Sequence, residues 1–291
     1  MDFMKVIDKC PICDCEDLEK SPAVVMPFIT YRIFGWTPKK ITPECQLHSL
    51  ECGSSYQICS STLCHKCQLL FSDLRFDKLE MEKLYHEYRG ENYVEQRKRF
   101  EPNYIETNDY LLKPLHYLSK VEDFIGRHAG SLQRILDWGG GNGVNTPFLT
   151  DRSEVSIYDI SSHSNSELPN GANVINHLEG KENHFDLIVA MHVFEHLSDP
   201  RDELFKLIEK LSLGGSIYIE VPLESIMEFD GPKPDAITEK HHWHEHINFF
   251  SRPALQHLFN VSGLEVKDIR EFDVSDEYRS FKILSAIAEK V

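Results

Sequence analysis

No cysteine occurs after Cys67: all eight lie between Cys10 and Cys67 of a 291-residue chain. A disulfide framework is therefore excluded for the C-terminal part, and the segregation itself marks two units. Basic residues are also scarce. The 31 Lys and Arg against 47 Asp and Glu leave a net charge of −16, which disfavours a nonspecific grip on nucleic acid or on an anionic membrane. Long apolar runs are missing too. The longest, "AVVMPFITYRIFGW", is broken by Pro27 and Arg32 and falls short of the roughly 20 residues a spanning helix needs. The opening "MDFMKVIDKC" has no basic flank leading into an apolar run, so it does not read as a secretory signal. The expectation is a cytoplasmic protein without membrane insertion or a nucleic-acid partner. A hydrophobic content of 41% is ample for a buried core.

What is present first is a pair of Cys-x-x-Cys turns, "CPIC" at Cys10 and Cys13 and "CHKC" at Cys64 and Cys67. Each turn sets two thiolates on one side of a tight loop, and two turns brought together complete the closed tetrahedral shell of a structural zinc ion. Disulfides or a redox dithiol are the alternative, although neither pair follows a strand in a βαβ pattern and the reducing cytosol disfavours both. The 50 residues between the pairs must carry structure of their own. Cys15, Cys45, Cys52 and Cys59 are irregularly spaced, and no role is assigned to them.

After Cys67, "KLEMEKLYHEYRGENYVEQRKRF" and "NDYLLKPLHYLSKVEDFIGRHAG" read as amphipathic helices with solvated outer faces. Tyr85, Tyr88, Tyr93 and Tyr104 are placed either in packing between domains or along a substrate entrance. From Arg134 the pattern changes to short apolar runs alternating with helical ones, "RILDW", "EVSIYDI", "ANVIN", "FDLIVA", "GSIYIEVP", "LEVKDIREF" and "SFKILSAIA". That alternation predicts a doubly wound, mainly parallel α/β sheet, with ligands at the carboxyl ends of its strands. The expected organisation is a cysteine-rich zinc-binding domain over 1–75, a helical connector over 76–130 and a sheet domain over 131–291.

At the first strand end stands "ILDWGGGNGVN", in which Gly139, Gly141 and Gly143 let the backbone turn sharply and approach a ligand. A helix is expected to begin near Val144. A dinucleotide fingerprint wants its third glycine where Val144 stands, so a nicotinamide-dependent oxidoreductase is the poorer fit. Asp159, ending "SIYDIS", can accept hydrogen bonds from both hydroxyls of a ribose, and Asp137 precedes the loop.

In order and interval, "ILDWGGGNG", "IYDIS", "FDLIVAMHVFEHLSDP" and "LSLGGSIYIEVP" resemble the successive motifs of class I S-adenosylmethionine-dependent methyltransferases. The resemblance covers roughly residues 105 to 291. It implies a Rossmann-like seven-stranded sheet whose last strand, "SFKILSAIA", is antiparallel. It also implies that Gly139, Gly141 and Gly143 pass under the methionine and ribose of S-adenosylmethionine. Asp137 would then organise the loop and the amino group, Asp159 would hold the ribose, and Met191 and His192 would face the methyl donor. Trp138 and Gly140 depart from the commoner loop residues, altering the wall and not the backbone path. The adenine contacts are expected near "NHLEGKENHF".

The segment "HHWHEHINFFSRPALQHLFNVSGLEV" leads into a helix near Pro253, with Ser251 as a natural cap. It resembles the acceptor-site segment of zinc-containing nucleotide-sugar methyltransferases, which likewise carry a cysteine-rich head. That likeness implies roles for His244, Glu245 and His246 at the acceptor, with His244 or His246 as the base and a nucleotide- or carrier-linked sugar as substrate. The further C-terminal domain of the sugar C-methyltransferases has no counterpart before Val291, a departure that bears on both the sugar and carbon methylation. His192 is placed on the wall of the active site, and His196 is expected to fix its loop or to begin the following helix. His242, His244 and His246 would share one face of an extended strand, a spacing that also admits a metal. The overall expectation is methyl transfer to a small or carrier-linked acceptor, a sugar hydroxyl first among them. The alternatives are the oxidoreductase or a non-catalytic methyltransferase-like scaffold.

Overall fold

The computed structural model describes residues 5–37, 42–46, 58–149, 153–161, 172–275 and 280–291. Cys52 lies outside them. The strand Phe185–Met191, "FDLIVAM", is buried along nearly its whole length, as a central strand covered on both faces must be. It sits in the middle of a seven-stranded sheet ordered Leu264–Ser275, Ser280–Lys290, Leu211–Leu223, Phe185–Met191, Arg134–Trp138, Glu154–Tyr158, Ala172–Val174. Ser280–Lys290 runs antiparallel to both its neighbours, and the five strands on the other side of it pair in parallel. The chain thus has the mixed α/β, parallel-rich sheet expected of a methyltransferase.

Alternation along the strands divides two cores. Leu187 and Val189 join Ile135, Val155 and Tyr218 on one face. Ile188 and Ala190 join Leu136, Ile217 and Ile219 on the other. The helix Leu118–His128 covers the first face with Val121, Phe124 and Ile125, an i, i+3, i+4 stripe. Arg127 and His128 in its last turn complement the helix dipole. The helix Pro200–Lys210 covers the second face with Leu204 and Leu207. It opens with Pro200 and carries Asp202 and Glu203 in its first turn, the residue types that a helix start favours. No helix among the described residues is long and apolar enough to cross a membrane.

Two local expectations are corrected. No helix follows the glycine loop at Val144, where residues 141–148 form turns. Pro147 would lack an amide where a first helical turn passes into its ladder, and Phe148 is left-handed at φ 58°. Ser251 does occupy the N-cap position of the helix Arg252–Val261, but it makes no side-chain cap. Its hydroxyl donates instead to the Gln68 carbonyl at 3.2 Å.

The head holds a five-stranded sheet ordered His242–Trp243, Leu18–Val25, Cys59–Cys64, Leu70–Ser72, Asn248–Phe249. Its two edge strands come from the histidine-rich segment, one pairing parallel to Leu18–Val25 and the other antiparallel to Leu70–Ser72. Between the cysteine pairs lie Leu18–Val25 and the helix Pro27–Phe34. Cys64 and Cys67 sit at the hairpin between Cys59–Cys64 and Leu70–Ser72. Trp243 is buried, and its indole donates to Ser61 at 2.9 Å. The segment is therefore sewn through the head sheet and returns over the carboxyl edge of the central sheet.

Candidate active site

The glycine loop follows Arg134–Trp138 directly, and Gly139, Gly141 and Gly143 all have left-handed φ, 83°, 56° and 78°. Gly140, between them, has an ordinary φ, yet a Cβ there would lie 2.3 Å from Asp137 Oδ2. Its missing side chain is thus what lets the Asp137 carboxylate fold under the loop. Asp137 is buried and accepts from Thr146 Oγ1 at 2.5 Å; burial, reinforced by Asp159, pushes its pKa up to about 6 against the smaller opposing effect of that hydrogen bond. Asp159 accepts from the Gly141 amide at 2.8 Å and from the Ser161 amide at 2.7 Å. The residue expected to hold a ribose is also the one that pins the loop.

A cavity of about 1110 Å³ opens above this loop. Asp137, Gly139, Gly141, Asp159, Met191 and His192 line it at one end, and Glu195, His196, Glu245 and His246 further along. Gly143 and His244 are not among its lining residues. None of residues 176–185, where the adenine contacts are expected, lines it either. The chain just after Ser161 lies outside the described residues.

His192 ends the central strand in a left-handed conformation, φ 54°. Its Nε2 lies 3.0 Å from the Tyr117 hydroxyl and 3.1 Å from Glu220 Oε1, and its Nδ1 lies 3.6 Å from Glu195 Oε1. Burial alone lowers its pKa, but the two carboxylates outweigh that and raise it to about 10. The ring is an imidazolium at neutral pH, which fits an electrostatic or positioning role and not that of a resting base. Glu220 is fully buried in the long strand and accepts from Tyr117 at 2.8 Å and Tyr218 at 2.6 Å.

At the acceptor end the three adjacent residues separate. His244 points away from the cavity toward Glu101, 3.8 Å off. Glu245 is buried and committed to Arg97 Nη1 and the Tyr93 hydroxyl, each at 2.5 Å. His246 holds Glu224 Oε1 at 2.7 Å through Nδ1, and its ring meets that of His196 edge-on at 4.7 Å. Of the face expected for His242, His244 and His246 only the first two rings meet, edge-on at 5.9 Å, while His246 turns to Glu224 and His196, because His242–Trp243 is an edge strand of only two residues and the chain turns after it. His196 does more than fix a loop. It lines the cavity from the short helix Phe194–His196, with Nδ1 at 2.8 Å from the Tyr85 hydroxyl and 3.0 Å from the Glu245 carbonyl. Tyr85, Tyr88 and Tyr104 line the cavity while Tyr93 packs behind them, fully buried. The tyrosines thus both pack and line.

In the head, Cys10 Sγ lies 3.5 Å from Cys67 Sγ, and Cys13 Sγ lies 3.6 Å from Cys64 Sγ. All four are free thiols whose sulfurs lie within 4.8 Å of one another.

Sequence reasoning passed over Tyr117, Glu195, Glu220 and Arg97. Glu220 alone left a signal, a carboxylate in the middle of the apolar run "GSIYIEVP".

No curated protein matches the sequence. Among solved structures, the 1,6-didemethyltoxoflavin-N1-methyltransferase of Burkholderia thailandensis, with 1,6-didemethyltoxoflavin and S-adenosylhomocysteine bound, is 16% identical. It matches over 78% of this chain and 98% of its own, with a TM-score of 0.50. A SAM-dependent methyltransferase from Aquifex aeolicus is 18% identical over 60% of this chain and 89% of its own, with a TM-score of 0.43. A family model described as a methyltransferase domain matches residues 85–269, which sets aside the oxidoreductase alternative. The chain belongs to the methyltransferase-domain family and is an S-adenosylmethionine-dependent methyltransferase.

Proposed function

We propose that the protein methylates an oxygen of a small or carrier-linked acceptor, a sugar hydroxyl first among these, and that a structural zinc ion holds its head together. The observation that carries the reading is the single cavity running from the glycine loop and Asp159 to Glu245 and His246. It has room for a cofactor and an acceptor end to end, and the acceptor end is walled by tyrosines, two arginines and paired histidines. A hydroxyl-rich acceptor finds donors and acceptors of hydrogen bonds there, where an apolar one would strand them.

The residues present fit the cofactor. Gly140 leaves no Cβ over Asp137, and Asp159 stands at the end of its strand beside the loop. S-adenosylmethionine, when bound, supplies an electrophilic methyl group on a sulfonium. The protein's share of an in-line displacement is to align the nucleophile and exclude water. His192 is fixed by Tyr117 and Glu220 at the strand end. Glu195 and His196 would hold the acceptor oxygen while His246, backed by Glu224, would take its proton as the methyl group passes to that oxygen and S-adenosylhomocysteine leaves. His244, turned toward Glu101, is not assigned a part in this step.

The cysteines fit zinc. Bonds of about 2.3 Å to a tetrahedral zinc set sulfurs roughly 3.8 Å apart, close to the spacing of the two short sulfur pairs. Free cysteines at the turn of a hairpin, outside any βαβ unit, do not favour the redox alternative.

Calorimetric titration of S-adenosylhomocysteine tests the reading, with Gly140→Ala and Asp159→Ala as controls. Micromolar binding, about −8 kcal/mol, is expected for the wild type and lost in both variants. A wild-type protein that binds neither S-adenosylhomocysteine nor S-adenosylmethionine would overturn it.

A further inference from the structure

Glu195 is 1% exposed, and neither of its carboxylate oxygens has a hydrogen-bond partner among the described residues. The nearest donors are His192 Nδ1 at 3.6 Å and His196 Nε2 at 3.8 Å, both beyond hydrogen-bonding distance. A buried carboxylate without a hydrogen bond remains costly even with the His192 imidazolium 3.6 Å away, and a cation bound directly to it would relieve that cost. Two imidazoles stand beside it, and in both the far nitrogen is already engaged. His246 Nδ1 meets the Glu224 carboxylate at 2.7 Å, and His196 Nδ1 meets the Glu245 carbonyl at 3.0 Å. The Glu224 carboxylate only accepts, so His246 Nδ1 carries a hydrogen; His196 Nδ1 stands between the Glu245 carbonyl and the Tyr85 hydroxyl at 2.8 Å, which can accept as well as donate, so a hydrogen on Nδ1 with Nε2 bare suits both rings. A ring hydrogen given to a carboxylate or a backbone carbonyl is what orients a histidine that ligates a metal. One ligand atom from each of Glu195, His196 and His246 lies within 4.8 Å of the others. All three residues line the cavity.

We propose that Glu195, His196 and His246 bind a divalent first-row transition ion through one carboxylate oxygen and two Nε2 atoms, with its open position facing the acceptor cavity. Ligand bonds of 2.0–2.1 Å place such atoms roughly 3.3 Å apart, a contraction that side-chain rotation supplies. Two imidazoles and a carboxylate suit zinc, iron(II), cobalt or nickel better than magnesium or calcium, which prefer all-oxygen shells. Three protein ligands leave room for a fourth from outside, the pattern of a reactive site and not of a structural one. The site is chemically distinct from the head, where four sulfurs close the shell. Resting on the proposed acceptor reading, the open position would take the acceptor's hydroxyl oxygen and acidify it there.

Elemental analysis and cobalt(II) replacement on the full chain decide the matter. The wild type should hold two ions per chain. Cobalt should show intense thiolate charge-transfer absorption from the head and, at a second equivalent, weaker d–d bands without it. His246→Ala should drop the count to one and remove only the second set of bands, the surviving thiolate spectrum showing that the head is still folded. Glu224→Gln should leave both ions but weaken the second about 10- to 100-fold. One ion per chain in the wild type, with a thiolate spectrum alone, overturns the inference, as does a second ion that His246→Ala leaves unchanged. S-adenosylhomocysteine titrated into the same samples separates the two readings. Cofactor binding without a second ion defeats this one alone, and a second ion without cofactor binding defeats the methyl-transfer reading alone.

Discussion

At the scale of the residue, His192 concentrates the electrostatics of the site. Its ring joins the loop after the central strand to Glu220 in the next strand and to Tyr117 at the start of a helix. Its pKa, raised to about 10 in the folded protein, stands above the 6.5 of an unfolded histidine. A group raised on folding contributes stability that is fully present below the unfolded pKa and is lost as pH rises through the folded one. The His192–carboxylate contribution should therefore be complete below about pH 6.5 and vanish by pH 10 and above. A third of the side chain meets solvent, and screening there reduces the contribution to about 1–2 kcal/mol. Urea unfolding of wild type and His192→Gln should differ by that amount at pH 6 and converge above pH 10. A gap that stays constant across the range would show that the ring is neutral and held by packing.

At the scale of the element, the helix Glu91–Arg97 is fastened to the histidine-rich segment by one buried ion pair. Arg97 and Glu245 are both nearly fully buried, and Arg97 also reaches Glu101 at 2.9 Å and stacks over Tyr104 at 4.0 Å. Removing one partner leaves a buried charge uncompensated, a loss of about 3–5 kcal/mol, whereas removing both is milder. Arg97→Met should lower stability by that amount in chemical denaturation, and Arg97→Met with Glu245→Gln should recover part of it. If the double variant falls as far as the single one, the pair is not the fastening. The same elements mark how far the sequence could be read. The strands of the central sheet were legible because buried parallel strands must be continuous apolar runs, as in "FDLIVA". The glycine loop was legible because a left-handed φ selects glycine, whereas the need for Gly140 depends on where the Asp137 carboxylate lies in space. Arg97 meets Glu245 across 148 positions of chain, a separation at which periodicity and local spacing carry no information. The parting of His244 from Glu245 and His246 was hidden for a related reason. It depends on a two-residue strand whose pairing partner lies in the head.

At the scale of the whole molecule, the cofactor end and the acceptor end rest on different supports. The glycine loop, Asp159 and His192 are carried by the central sheet, which the chain closes within residues 134–290. Glu245 and His246 lie between two short strands that are edges of the head sheet, and Ile247 is tied to Ser72 and Glu195 through backbone bonds of 3.0 and 2.8 Å. The cysteine turns border that same head sheet, so an ion at Cys10, Cys13, Cys64 and Cys67 would stabilise the acceptor wall without touching it. Structural zinc contributes folding free energy directly to the unit it closes. Cys13→Ser, at the most exposed of the four positions, should therefore lower the temperature of a first unfolding transition and slow methyl transfer at least 10-fold. Its affinity for S-adenosylhomocysteine should stay within about threefold of wild type, a change of less than 1 kcal/mol. Calorimetric melting and ligand titration on one sample read both quantities. Equal loss of cofactor affinity and of stability would mean that head and sheet fold as one cooperative unit. In that case the metal serves the whole protein and not its acceptor half.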